Sequence, residues 1–264
     1  MKRTISDNEV VAKLPQKKFY RSRAHCNPLS HNNGFDYPLS PAEMDWTQHY
    51  PNISNPVVRF LDVGCGFGGL TVALSALFPS KIVLGLEIRA KVCEYVRLRI
   101  EALRSESGGT AYENASCFRT NCMRYLPNYF NKGQIEKIFF CFPDPHFKAK
   151  NHRRRIVSEA MLSEYAYLLA EDARLYTITD VEELHLWHVE KCTAHPCFER
   201  LDDDEVLEND PAVKAMINET EEGKKVERMR GRKHFAVFRR RRYSEVGPSA
   251  DDRVCPVYSL FASS

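Results

Sequence analysis

Apolar residues in this chain fall into short unbroken runs, separated by segments with helical spacing. Val57 to Val63 is one such run, and it stops at glycines spaced Gly64, Gly66, Gly69. Leu70 to Phe78 then reads as a helix. Ile82 to Leu86 is a second run, closed by Glu87. From about Ala90 to Leu103 the apolar residues Val92, Tyr95, Val96, Ile100 and Leu103 share one helical face. The alternation continues with a strand at Ala115 to Arg119, a short helix and loop at Met123 to Phe130, and a strand at Ile135 to Phe142. A helix at about Ser158 to Leu169, a strand at Arg174 to Thr179 and a helix at Val181 to Cys192 follow. A short strand near Phe198, an acidic loop, a helix near Thr220 to Met229 and a last strand from His234 to Arg239 complete the pattern. Such alternation predicts an α/β fold: a mainly parallel sheet with helices on both faces.

Before the first strand the pattern is different. Residues 1–12 read as disordered, and residues 13–56 show neither period, being punctuated by Pro15, Pro28, Pro38, Pro41, Pro51 and Pro56. Tyr20, Phe35, Tyr37, Trp46 and Tyr50 argue that this stretch packs on the domain of residues 57–242 as an extension. Residues 243–264 read as a tail, with Val254 to Phe261 apolar enough to dock.

Strand, glycine turn and helix form the first half of a βαβ unit. The turn needs backbone angles that a β-carbon opposes, and a ligand there must lie against bare backbone. The spacing fits a dinucleotide pocket, a methyl-donor pocket or a plain tight turn. Two acids narrow it. Asp62 stands at the end of the first strand. Glu87 stands about 20 residues past the turn, where a ribose diol is held. Together they favour a nucleoside-containing cofactor over a helix cap and a solvated strand end. Gly64, Glu87, Asn121, Asp144 and Asp180 all end or follow strands, which is where ligands sit in such sheets.

A chain of 264 residues suits one α/β domain with extensions. No run approaches the roughly 20 apolar residues of a membrane span, and the N-terminus lacks the apolar core of a secretory signal. The nine cysteines form no Cys-x-x-Cys and read as reduced, mostly buried thiols. No metal site is expected, Cys192, His195 and Cys197 having no second pair. Net charge is +3, but the charges are grouped. Lys17, Lys18, Arg21, Arg23 and His25 interleave with Phe19 and Tyr20, a mixture that suits backbone contact and base stacking on nucleic acid. Lys148, Lys150, Arg153, Arg154 and Arg155 form a second acid-free block. Arg228, Arg230, Arg232 and Lys233, then Arg239 to Arg242, make up a third. Basic blocks within a nearly neutral total suggest a polyanion footprint, against the plainer reading of solvated faces.

Pro143-Asp144-Pro145 follows a fully apolar strand. Two prolines cannot continue a sheet, so the carboxylate between them is held in place. At this point the chain resembles a known family. Asp62-Val63-Gly64-Cys65-Gly66 with Glu87 looks like the donor motif of S-adenosylmethionine-dependent methyltransferases. Phe140-Cys141-Phe142-Pro143-Asp144-Pro145-His146-Phe147-Lys148 resembles the signature of the tRNA (guanine-N7)-methyltransferases. So do Gly85 to Arg89, Tyr176 to Asp180 and Thr220 to Lys224. Lys17 to His25 and Glu43 to Trp46 resemble the eukaryotic branch, and the likeness runs from about Leu14 to Arg240. Cys141 departs from the leucine of some relatives.

The resemblance implies a Rossmann-like class I methyltransferase fold with an antiparallel C-terminal strand. It implies S-adenosylmethionine as cofactor, tRNA as substrate, a WD-repeat β-propeller as non-catalytic partner and a nuclear location. It assigns Asp144 as catalytic and Gly64 to the donor's amino-acid end. Glu87 goes to the ribose hydroxyls, Ile88 flanks the adenine, and Arg89 is a further cofactor contact. Asn121 and Cys122 go to the adenine side, and Cys141 lies beside the donor. Thr220 and Glu222 close the site from the C-terminal helix. Lys17, Lys18, Arg21, Arg23, His25, Lys148, Lys150, Arg153 and Arg154 hold the tRNA. Guanine N7 carries a lone pair and no proton, so methylation needs alignment and no general base. The absence of any nucleophile–His pairing agrees. Three rivals are weaker. An NAD-linked oxidoreductase leaves Pro-Asp-Pro unexplained, and a non-catalytic RNA-binding subunit is not expected to keep Gly64, Glu87 and Asp144. A methyltransferase for another RNA or for protein is the strongest alternative.

Overall fold

The computed structural model describes residues 13–23, 26–30 and 34–246. The expectations for residues 1–12, for His25 and for most of the C-terminal tail lie outside the described residues.

Seven strands make one sheet: β1 (Val58–Val63), β2 (Ile82–Glu87), β3 (Ala115–Arg119), β4 (Ile135–Cys141), β5 (Leu169–Thr179), β6 (Phe198–Arg200) and β7 (His234–Arg240). Their order is β3-β2-β1-β4-β5-β7-β6. The first five pair in parallel, while β7 runs antiparallel to both β5 and β6. The five parallel strands therefore end along a single edge.

The apolar runs exist because both sheet faces are covered. Along β4, Ile138 and Phe140 face one core while Phe139 faces the other, and all three are fully buried. The first core is filled from α3 (Cys122–Tyr129), α4 (Glu159–Leu168) and α5 (Glu182–Ala194). The second receives Leu70 and Leu74 of α1 (Gly69–Leu77), and Val213 and Met216 of α7 (Pro211–Glu219). Val96 and Ile100 of α2 (Ala90–Glu106) join a third cluster with Ala115, Cys117 and Cys65. The segment before β1 is part of the first core. The Trp46 ring stacks on Phe130 at 5.6 Å, and the Tyr50 hydroxyl donates to the Val83 carbonyl at 3.0 Å.

The structure corrects the pattern in two places. The expected acidic loop after β6 is helical: α6 (Asp203–Asn209) is followed at once by α7, ahead of α8 (Glu221–Arg228). β5 starts at Leu169, directly after α4, five residues before the expected Arg174. Its ladder to β4 slips between Ile135 and Lys137, beside Asp172 at φ 62°.

The last basic run is structural. Arg240 is 1% exposed, with its guanidinium over the Tyr243 ring. Arg239 bridges Asp172, Glu199 and Glu245, and Arg242 bonds Asp172.

Candidate active site

The strand order reverses between β1 and β4, and two adjoining cavities of about 210 and 480 Å3 open there. Gly64, Arg89, Cys141, Phe142, Pro143 and Asp144 line both.

The glycine turn divides its work. Gly64 (φ 76°) and Gly66 (φ 55°) have backbone angles that oppose a side chain, and a Cβ on either would point into open space. Their backbone is therefore bare toward the cleft. Gly68 and Gly69 serve packing. A Cβ on Gly68 would come within 2.6 Å of Val96 Cγ1, and one on Gly69 within 2.2 Å of the Glu219 carbonyl.

Asp62 is 1% exposed and accepts a 2.7 Å hydrogen bond from the Thr71 hydroxyl, tying β1 to α1. Burial raises its carboxyl to about 7, with Glu221 and Glu87 adding in the same direction. Glu87 is no solvated strand end. It is 3% exposed and holds Arg89 through both oxygens, at 3.0 Å to Nε and 2.7 Å to Nη2, while Oε1 also accepts from the Arg89 amide.

The smaller cavity is walled by Glu87, Ile88, Asn121 and Cys122, facing Cys26 and Pro28 of the N-terminal segment. Asn121 lines it, yet its side chain is committed elsewhere. Oδ1 caps α3 by accepting from the Met123 amide, and Nδ2 donates to the Pro28 carbonyl at 2.6 Å. Burial pushes the thiols of Cys122 and Cys141 up, so both serve as wall and neither as nucleophile.

Thr220 and Glu222 line the larger cavity. Thr220 caps α8 through the Gly223 amide at 3.0 Å, and Glu222 pairs with Lys225 at 2.6 Å. Sequence reasoning passed over the residue between them. Glu221 accepts from the Gly69 amide at the start of α1, from Arg99 at 2.9 Å and from Lys17 at 3.1 Å. It thereby joins the glycine turn, α2, α8 and the N-terminal segment. An acid near a helix N-terminus was the available signal, but its partners lie too far along the chain to be inferred.

Asp144 stands where both cavities meet. Its Oδ1 accepts from the His146 amide at 3.2 Å. Phe142 (φ 50°) and His146 (φ 47°) on either side occupy the left-handed region, a backbone shape that persists only when its surroundings hold it. Arg155 is part of that support. It is 1% exposed, donates Nε to the Pro145 carbonyl at 2.9 Å and Nη2 to Glu183 at 2.7 Å, and lies 4.6 Å over the Trp187 ring. This corrects the reading of its basic block as uniformly RNA-facing. Lys148, Lys150 and Arg153 are exposed there, and Arg154 lines the smaller cavity. Lys18, Arg21 and Arg23 are also exposed, whereas Lys17 is held by Glu221 beside the Phe67 ring. No cluster of His, Cys, Asp or Glu among the described residues has metal-ligand geometry.

A parallel five-stranded sheet with an antiparallel strand beside its last member, and a bare glycine turn at its reversal, make the Rossmann-like fold of class I methyltransferases. A family model described as a putative methyltransferase matches residues 56–236. The tRNA (guanine-N(7)-)-methyltransferase of Aedes aegypti is 51% identical over 240 residues, covering 89% of this chain and 97% of its own. That of Drosophila pseudoobscura pseudoobscura is 51% identical, covering 90% and 98%, and that of Brugia malayi 52%, covering 89% and 90%. The chain belongs to the tRNA (guanine-N7)-methyltransferase family.

Proposed function

We propose that the chain transfers a methyl group from S-adenosylmethionine to N7 of a guanosine in tRNA, as the catalytic subunit beside a WD-repeat β-propeller. The observation that carries this reading is Asp144, fixed between prolines at the junction of a nucleoside-sized cleft and a cavity lined by Asp180, Glu222 and Lys225. The residues fit the donor. Gly64 and Gly66 offer bare backbone, Ile88 and Cys122 an apolar wall, Glu87 a carboxylate for the ribose, and Asp62 a negative end for a cationic amino acid. When bound, the donor supplies an electrophilic methyl group on a sulfonium.

The chain's own task is alignment. Asp144 holds the guanine edge and offsets the positive charge that grows on the base, in a cleft where such charge pairs act strongly. No side chain need take a proton, since N7 carries none. Lys148, Lys150, Arg153 and Lys18 are placed on exposed surface to grip phosphates.

The test uses radiolabelled donor and total tRNA, with and without the propeller subunit. Label should enter tRNA and cleave with borohydride and aniline, as N7-methylguanine does. Asp144→Asn should lose on the order of 100-fold in rate with donor affinity retained. Donor binding without labelled tRNA in either condition would overturn the reading.

A further inference from the structure

We propose that the turn between α8 and β7, with Arg228, Arg230 and Arg232, is a second RNA-backbone contact on the far lip of the cleft from Lys148 and Arg153. This deepens the proposed function and rests on it.

Position comes first. α8 opens on the cleft: Thr220, Glu222 and Lys225 line the larger cavity, and a Cβ on Gly223 would sit 3.5 Å from the Phe142 ring. Arg228 and Met229 lie three and four residues past Lys225, so they carry the same helix face outward. β7 then starts at His234, paired with Thr179 at the carboxyl end of β5. The turn is thereby held at the edge where Asp144 and Asp180 stand. β4 and β7 flank β5, so the two basic lips straddle it.

Charge comes second. The lysines around this turn are each matched to an acid: Lys224 to Glu219, Lys225 to Glu222 and Lys233 to Glu227. Arg228, Arg230 and Arg232 are exposed, and no carboxylate among the described residues pairs with any of them. A merely solvated face has no reason to balance its lysines and leave its arginines open. Met229, 73% exposed between them, offers an apolar tip to a ribose or base.

Backbone comes third. α8 ends in a two-bond cap, with the Gly231 amide on the Val226 carbonyl and the Arg230 amide on the Glu227 carbonyl, both at 2.9 Å. In this cap the residue before the last takes left-handed angles and is usually glycine. Here it is Arg230, at φ 54°. The fold keeps a cation where its own geometry favours no side chain. A guanidinium suits phosphate, which it meets with two parallel bonds.

That detail makes the test clean, because Arg230→Gly relaxes the turn while removing its charge. Wild type, Arg230→Gly and the triple variant Arg228→Gln, Arg230→Gly, Arg232→Gln would be titrated with tRNA over a range of NaCl, using the full chain. Donor affinity and thermal unfolding would be followed in parallel. Each lost phosphate contact should flatten the slope of log affinity against log salt by about 0.7–0.9. The triple variant should therefore lose a slope of about 2–3, and about 10-fold or more in affinity at moderate salt. Arg230→Gly should unfold no earlier than wild type yet lose close to one contact. A triple variant that matches wild type in slope and affinity overturns the proposal alone. So does one that keeps tRNA binding and loses binding to a polyglutamate peptide, which would mark the surface as a protein contact. A wild-type chain that takes up no tRNA at any salt, with or without the propeller subunit, overturns the proposed function with it.

Discussion

Asp62 shows how much one buried carboxyl sets for this protein. Its carboxyl lies near 7 through burial, against about 4 in an unfolded chain. The folded protein thus keeps this proton across a window in which the unfolded chain has released it. Stability from this group is highest at low pH and falls as pH rises from about 4 to about 7. Asp62→Asn, measured by urea unfolding without donor, should flatten that decline. It should be the more stable form at pH 8, by on the order of 1–4 kcal/mol. A cationic donor favours the ionised form, so wild-type donor affinity should climb between pH 6 and 8, and the variant's should not. Equilibrium dialysis with labelled donor reads this directly. Residue by residue, the cleft lining of Asp62, Gly64, Gly66 and Glu87 was legible because its signals are local: glycines at a turn, acids at strand ends. The commitments of Asn121 to Pro28 and of Glu221 to Arg99 and Lys17 were not, since each joins segments about 90 to 200 residues apart.

Among the elements, the Pro143–Asp144–Pro145 loop depends on a helix it does not touch in sequence. α5 presents Glu183 and Trp187, Arg155 bridges them to the Pro145 carbonyl, and the loop keeps its left-handed corners. Arg155→Met should lower the methyl-transfer rate by about 10- to 100-fold while donor affinity stays put. Arg155→Lys should rescue little, because a compact ammonium lacks the planar fork whose Nε and Nη2 reach Pro145 and Glu183 separately while the plane lies over Trp187. Comparing kcat with donor Kd separates this from general loosening. Nothing in Lys148 to Arg155 distinguishes Arg155 from its neighbours until α5 is packed against it. The strands and most helices were readable because burial on one or both faces writes a period into them. α6 and α7 were missed although their signals were present. Asp202 caps α6 through the amides of Asp204 and Glu205, and the acids that follow sit at the positive end of the helix. Asp210 caps α7 with Pro211 behind it. Read as charge these residues suggest a loop; read as caps they mark two helix starts. The first half of β5 was missed for a different reason. Glu171 and Asp172 lie on a bulge, where no alternation survives.

At the scale of the molecule, one sheet organises both cores, and the N-terminal segment packs into the first of them. Trp46→Ala, removing a ring 9% exposed and stacked on Phe130, should cost about 3–5 kcal/mol in urea unfolding. A loss below about 1 kcal/mol would show the segment to be a detachable cover. The strand order carries a consequence for how the protein is made. β7 comes from the last part of the described chain, yet it lies inside the sheet between β5 and β6. A nascent chain still short of residue 234 has an open β5, whose Leu175, Tyr176 and Ile178 are fully buried in the finished fold. That edge is a ready template for any passing strand, so the ribosome must deliver the chain through β7 before its own stickiest border is sealed.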